Sequence, residues 1–383
     1  MITLTLELNK RCNLACEYCY IGEKDNRSMS LRTAIGSIDF AIERINIENH
    51  RYRTIRVNFL GGEPLLSIKE MEEVVSYCEV NKEKQHVDFE YTVTTNGVLL
   101  NREITQFLID HHFSLKVSLD GDEKINDLSR KTIYGTGSYR SVVKNLNNIK
   151  FFEMQTRKAV QVSSVITRKN YTYLLESIRH FHEDLGFLDI DAGIDIGPEW
   201  TEQEIEKLSQ ILNEVLTYYV NSYKQNKYFM WRYIENALDN YENKSVRLYS
   251  CGAGIISFYV NTEGDMFLCP NLLKYKYSLG NVFDGFSEFG HLVRNKLKDV
   301  KDIDNAVCRE CKENEICKVK GCFASSLYAN DDINIPDRYA CLYGKIVNSI
   351  VEKNVKILEE IRDNAKIIGP KGYSINIDMF CEE

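Results

Sequence analysis

The 383-residue chain sets 48 Lys and Arg against 56 Asp and Glu, a formal charge of -8 with no block of basic residues, which excludes the footprint of a protein that grips a nucleic-acid backbone. Its first residues, MITLTLEL, alternate apolar and polar instead of forming a secretion signal, and apolar stretches such as Ile255 to Val260 are too short to span a bilayer. A cytoplasmic protein with no membrane partner is expected, and in that reducing compartment its twelve cysteines point to metal ligation ahead of disulfides.

Six strands are predicted in the first half: Thr3 to Leu8, Ile55 to Leu60, Phe89 to Thr94, Leu115 to Leu119, Val160 to Ile166 and Leu188 to Ile196. Each is short and rich in β-branched or alternating apolar residues. Helical patterns separate them. Leu31, Ile35, Ile38, Ile42 and Ile45 follow a helical spacing, and further helices fit residues 68–82, 101–111, 138–150 and 171–184, the third led in by a Gly135-Thr136-Gly137 turn with Ser138 as its cap. Alternating strands and helices predict a parallel sheet covered by helices, either a partial barrel or an open doubly wound sheet. A longer helix follows, opened by the capping box of Thr201 and Glu204, with Ile205, Leu208, Leu212, Val215 and Tyr219 on its apolar face. From about residue 245 strands are weak, turns are frequent, and seven cysteines fall between Cys251 and Cys341, the mark of a small core held by metal. A last helix runs from there to about Asn364, before a Gly-Pro-Lys-Gly stop.

The first cysteines, Cys12, Cys16 and Cys19, fall in the loop after the first strand. They offer three thiolates where a 4Fe-4S cluster has four irons, so one iron is left open to bind a small molecule and pass it an electron. A structural zinc site would be a closed set of four, and the next cysteine, Cys78, lies in a helical stretch far downstream. Three polar segments follow the next three strands: Gly61-Gly62-Glu63-Pro64, Thr95-Asn96-Gly97 and Ser118-Leu119-Asp120-Gly121. In a parallel sheet all these ends share one rim, where α/β folds place their active sites. The histidines His111, His112, His180 and His182 fall in helical stretches away from that rim and read as structural or solvated.

A Cys-x3-Cys-x2-Cys loop followed by GGEP, TTNG and SLDG resembles the radical S-adenosylmethionine (SAM) superfamily, and its peptide- and protein-modifying branch most. The resemblance implies a partial (β/α)6 TIM-like barrel over residues 1–225, a helical connection at 226–245, an auxiliary-cluster domain of the SPASM type at 246–345, and a C-terminal helix and tail at 346–383. It implies that Cys12, Cys16 and Cys19 hold the SAM-binding cluster and are the catalytic cysteines. Tyr18 matches an aromatic beside the adenine, Gly62 and Glu63 lie near the methionine ammonium, Ser118 and Asp120 near the ribose, and Arg130 matches an arginine that pairs with the carboxylate. Such an enzyme cleaves SAM reductively to a 5'-deoxyadenosyl radical, chemistry that belongs to the cofactor and asks the protein mainly for positioning and exclusion of water.

The later cysteines resemble the SPASM pattern. Family connectivity puts Cys308, Cys311, Cys317 and Cys341 on one auxiliary cluster and leaves Cys251, Cys269 and Cys322 for a second, one ligand short of closed. Four residues, Lys318 to Gly321, stand where the family has three before Cys322. From spacing alone a zinc ribbon also fits. Cys78 and Cys381 stay outside both sets, as a buried thiol and a terminal one.

The resemblance implies a peptide substrate, and the leading expectation is a maturase that installs a thioether in a ribosomally made peptide, fed by a low-potential reductant such as flavodoxin or ferredoxin. Formylglycine formation of the anaerobic sulfatase-maturase kind is the runner-up, because the aspartate expected directly after Cys269 is replaced by Pro270 and then Asn271. Carbon-carbon crosslinking and epimerisation begin with the same radical. With the chain starting at its first core strand, leader recognition is expected to fall to the helices, the cluster domain or a separate partner protein. A member of another class, an iron-sulfur electron carrier or binding protein, would not cleave SAM.

Overall fold

The computed structural model describes residues 1–48, 52–195, 200–243, 251–296, 305–317 and 322–368. The six expected strands are present: β1 (Ile2–Glu7), β2 (Thr54–Leu60), β3 (Asp88–Thr95), β4 (Ser114–Ser118), β5 (Gln161–Ile166) and β6 (Asp189–Ile194). Helices Leu31–Glu48, Ile68–Gln85 and Arg102–Asp110 follow the first three. Five shorter strands come after: β7 (Met230–Trp231), β8 (Ser257–Val260), β9 (Asp265–Phe267), β10 (Gly280–Asn281) and β11 (Gly285–Phe286). The Gly-Pro-Lys-Gly stop, Cys381 and Lys318 to Gly321 lie outside the described residues.

The chain separates into two compact units, one of Met1–Asn13, Cys19–Leu115 and Arg247–Ile303, the other of Leu14–Tyr18, Lys116–Val246 and Asp304–Glu383. In the first, β2 and β8 both run parallel to β1, β3 runs parallel to β2, and β9 to β11 continue antiparallel from β8. Side chains alternate across this sheet. Ile2, Leu4, Leu6, Ile55, Val57 and Val93 are fully buried, and they share the core with the buried stripe Ala34, Ile38, Ala41, Ile42 and Ile45 of helix Leu31–Glu48. Thr3, Thr5 and Glu7 point to the opposite face. Ser30 starts that helix by accepting from the Thr33 amide at 3.0 Å.

In the second unit β4, β5, β6 and β7 form a parallel run. Helix Glu202–Lys224 opens on the expected capping box, with the Glu204 amide donating to Thr201 Oγ1 at 3.2 Å and the Thr201 amide to Glu204 Oε2 at 2.8 Å. Ile205, Leu208, Leu212, Val215 and Tyr219 are its buried face.

Three expectations change. The helix expected at 138–150 is two, Tyr139–Val143 and Leu146–Thr156, and Ser138 does not cap it. Asp127 does, its Oδ1 accepting from the amides of Ser138 (2.9 Å) and Tyr139 (3.0 Å), while the Ser138 hydroxyl donates to the Arg130 carbonyl at 2.7 Å. Gly137 makes room for this, since a Cβ there would fall 1.7 Å from the Asp127 carboxylate. The helix expected at 171–184 ends in a π-helical turn, His180–Asp184. The stretch read as weak in strands supplies β8, whose Ser-Phe-Tyr-Val run is a good strand former and pairs with β1.

Candidate active site

The glycines after β2 are there for a close backbone approach. Gly61 has φ 142°, and a Cβ on it would lie 2.5 Å from the Asn9 carbonyl; one on Gly62 would lie 2.0 Å from the Arg11 carbonyl. Without side chains, the Gly62 amide donates to Asn9 O and the Glu63 amide to Arg11 O, both at 2.8 Å. The β2 exit is thereby stitched to the backbone just ahead of Cys12. Asn9 adds to the join, its Nδ2 donating to the Glu63 carbonyl (3.1 Å) and Ser67 Oγ (2.8 Å).

Glu63 is fully buried. Its Oε1 accepts from the Leu65 amide (3.0 Å) and the Thr95 hydroxyl (2.7 Å), and its Oε2 from the Asn96 amide (2.8 Å). Its carboxylate therefore ties the exit of β2 to the exit of β3. Asn96 carries the tie onward, with Nδ2 donating to Asn13 Oδ1 at 2.7 Å and lying 3.7 Å from the Cys12 sulfur. An amide N–H directed at a thiolate stabilises its charge. Tyr20, the residue after Cys19, donates to the Gly61 carbonyl at 3.4 Å.

The middle of the cysteine loop is held in the second unit. The Ala15 amide donates to Lys131 O (2.7 Å), the Glu17 amide to Ser129 O (3.0 Å), and Leu14 bridges to Thr132. This pairing sets Tyr18 beside Arg130 and Asp120: Arg130 Nη1 donates to the Tyr18 hydroxyl at 2.7 Å, and that hydroxyl donates to Asp120 Oδ2 at 2.6 Å. Asp120 Oδ1 accepts from the Val165 amide at 3.0 Å. Burial pushes the Asp120 carboxyl up against the opposing pull of Arg130 and Tyr18, and burial likewise pushes the Tyr18 phenol well above its ordinary value, so Tyr18 stays a donor. For Arg130 burial opposes the charge, but Tyr18, Cys16 and Asp120 together outweigh it and raise its pKa. Ser118 closes β4, in register with Ser163.

Sequence reasoning named Tyr18, Asp120 and Arg130 singly, and the structure joins them. It missed Asn9, Asn13 and Asn96. Asn96 sits in the quoted TTNG segment, but nothing in that segment tells what its side chain reaches.

Five cysteines of the later set, Cys308, Cys311, Cys317, Cys322 and Cys341, line one cavity of about 290 Å3 in the second unit, closed on another side by Tyr233. Cys322, which family connectivity groups with Cys251 and Cys269, thus stands at the wall that the other four share. Among the described residues no group of three or more His, Cys, Asp or Glu side chains is placed to hold a metal ion. Cys251 is exposed and Cys269 part-buried, both in the first unit.

Thiols and a guanidinium are the donor types that the groups suggested by the sequence would take. Cys12, Cys16 and Cys19 are all part-exposed on their loop. Arg130 is 5% exposed and its Nε is buried with no hydrogen-bond partner, a free donor suited to a carboxylate.

Residues 6–152 match the model of the Radical SAM superfamily. The chain is 29% identical over 326 residues to the uncharacterized protein MJ0907 of Methanocaldococcus jannaschii, covering 84% of this chain and 94% of that protein. To the mycofactocin maturase MftC of Mycobacterium tuberculosis it is 26% identical over 357 residues, covering 88% and 82%. The solved structure of native anSMEcpe with bound AdoMet and Cp18Cys peptide superposes with a TM-score of 0.75 at 18% identity, over 95% of this chain and 99% of that one, which shows a shared fold. No described helix is long and apolar enough to cross a membrane. The chain carries a Radical SAM domain, and it is a radical SAM enzyme homologous to SPASM-type maturases.

Proposed function

We propose that this enzyme oxidises a peptide, forming a thioether between a cysteine sulfur and a carbon in a ribosomally made substrate. The observation that carries the reading is the cavity walled by Cys308, Cys311, Cys317, Cys322 and Cys341, a second thiol-rich site in a chain that already has its Cys12, Cys16 and Cys19 loop. When bound, the clusters and SAM would supply hydrogen abstraction at the first site and electron acceptance at the second. Putting a C–S bond in place of a C–H and an S–H is a two-electron oxidation: the 5'-deoxyadenosyl radical would take the carbon's hydrogen atom, the thiol would lose its proton, and the remaining electron would pass to the second site.

The protein's own residues position and shield. Arg130 takes the SAM carboxylate through its free Nε, while Tyr18 and Asp120 fix the guanidinium and Ser118 stands nearby for the ribose. Gly62 brings backbone close to the ammonium, and Glu63 holds that backbone in place. Cys251 and Cys269 would serve a second auxiliary cluster. A low-potential flavodoxin or ferredoxin would serve as reductant and a separate protein would recognise the leader, all in the cytoplasm.

The test is mass spectrometry of a cysteine-containing peptide encoded beside this chain, after anaerobic incubation with SAM and a strong reductant. Loss of two hydrogens with the thiol no longer alkylatable is expected. An unchanged mass while SAM is consumed contradicts the reading, and a cysteine converted to an aldehyde replaces it with formylglycine formation.

A further inference from the structure

The parallel run of the second unit has two unlike faces. Val117, Val162 and Ile190, in register across β4, β5 and β6, are fully buried and make one face apolar. On the other face the register aligns Ser118 with Ser163 and Ser163 with Asp191, and all three are part-exposed. One layer below, Lys116 aligns with Gln161 and Gln161 with Asp189. Asp189 is buried and engaged: Arg232 donates to its two oxygens through Nε (2.8 Å) and Nη2 (2.7 Å), and Gln161 Nε2 donates to Oδ1 at 3.3 Å. Of the two carboxylates on this face of β4 to β6, Asp191 is therefore the one that solvent reaches.

Asp191 lies between the places where the two halves of the chemistry belong. Ser118, the residue proposed for the ribose, is two strands away, about 10 Å across the sheet. On the other side stand Tyr233 and Tyr343, ring centroids 5.3 Å apart, both lining the cavity of Cys308, Cys311, Cys317, Cys322 and Cys341. Burial pushes both phenols up, and the charge of Asp191 adds to the rise, so the carboxylate is within electrostatic reach of that wall. Asp120, the other aspartate near the ribose position, is 1% exposed and taken by Tyr18 and the Val165 amide.

We infer that Asp191 is the general base of the reaction, accepting the proton of the substrate thiol as its sulfur bonds to carbon. The inference rests on the thioether reading above. A sulfur that holds two carbons and a hydrogen is strongly acidic, so a carboxylate is base enough to take its proton while the C–S bond forms. The balance closes: the carbon's hydrogen atom goes to the 5'-deoxyadenosyl radical, the S–H proton to Asp191, and the remaining electron to the iron-sulfur cluster proposed for the second site.

The test compares Asp191→Asn with the wild type, with the cysteine-containing peptide encoded beside this chain as probe. Asp191→Asn should lower kcat for the modified peptide about a hundredfold, while iron content and the Kd of the fluorescently labelled peptide, read by anisotropy, stay at wild-type values. Hydrogen abstraction comes before the proton is lost, so the 5'-deoxyadenosine made per modified peptide should rise. A wild-type kcat in Asp191→Asn, or a loss matched by an equal loss of peptide binding, overturns the inference. Should Asp191→Asn fail to take up iron, Asp191→Ala is assayed per iron bound, with and without added formate as a substitute carboxylate. Restoration of the rate by formate is then expected, and a rate that formate leaves unchanged overturns the assignment. If the wild type itself leaves the peptide unmodified, it is the peptide reading that falls, and the Asp191 inference with it.

Discussion

At Glu63 a single side chain joins two of the polar segments, the exits of β2 and β3. Its two oxygens take the Leu65 amide, the Asn96 amide and the Thr95 hydroxyl, and all of these groups would be stranded in the interior without it. Glu63→Ala should cost about 3 kcal/mol of stability, read as a lower urea midpoint, and Glu63→Gln, which keeps one acceptor oxygen, should cost less. If the alanine variant unfolds at the wild-type midpoint, the bridge is not what holds the two exits together. The same residues show how far a sequence can be read at this scale. Gly61 and Gly62 were singled out by their place after a strand, as part of the polar rim. The identity of the backbone they touch, Asn9 to Arg11, was not legible, because only the folded sheet brings β1 and β2 into register. Ser138 shows the limit from the other side. It has the right residue type to cap a helix, but Asp127 occupies both amides first and the serine turns to Arg130. A local propensity lost to a partner supplied from eleven residues away.

Among the elements, those with a strong repeating pattern were the readable ones. Strands β1 to β6 fall within a few residues of their predicted ends, and helix Glu202–Lys224 opens on the cap that its sequence announces. Thr201→Ala should therefore destabilise the fold by about 1 kcal/mol, seen as a small drop in urea midpoint with no change in SAM cleavage. A variant as stable as the wild type would mean that the capping box adds nothing here. Strand β8 was harder, because four residues give little periodicity and its value comes from a long-range partner: it lies along β1, far earlier in the chain. The split of the helix expected at 138–150 has the same origin, since the first of its two pieces is fixed by Asp127 and not by the apolar spacing that predicted one continuous element.

For the whole molecule, the chemistry was legible before the architecture was, because ligand spacing survives in sequence whereas tertiary partners do not. The intervals of the Cys12, Cys16 and Cys19 loop pointed to an open cluster, whereas the cysteines from Cys308 onward pointed to auxiliary clusters only through the family resemblance, since their spacing alone also suits zinc. The structure added what holds them: the glycine-dependent seam at Gly62, the Arg130, Tyr18 and Asp120 chain, and the cavity behind Cys341. The central claim is that the first cysteine set performs SAM cleavage and that the later set is needed only afterward. The most direct measurement is 5'-deoxyadenosine formation by anaerobically reconstituted wild type, Cys16→Ala and Cys322→Ala, each with its iron content. Wild type should hold about twelve irons, four for each of three clusters, and cleave SAM; Cys16→Ala should not cleave it, and Cys322→Ala should cleave it at the wild-type rate while yielding no modified peptide. Cleavage by Cys16→Ala at the wild-type rate, or none by a wild type with its first cluster filled, would contradict the account.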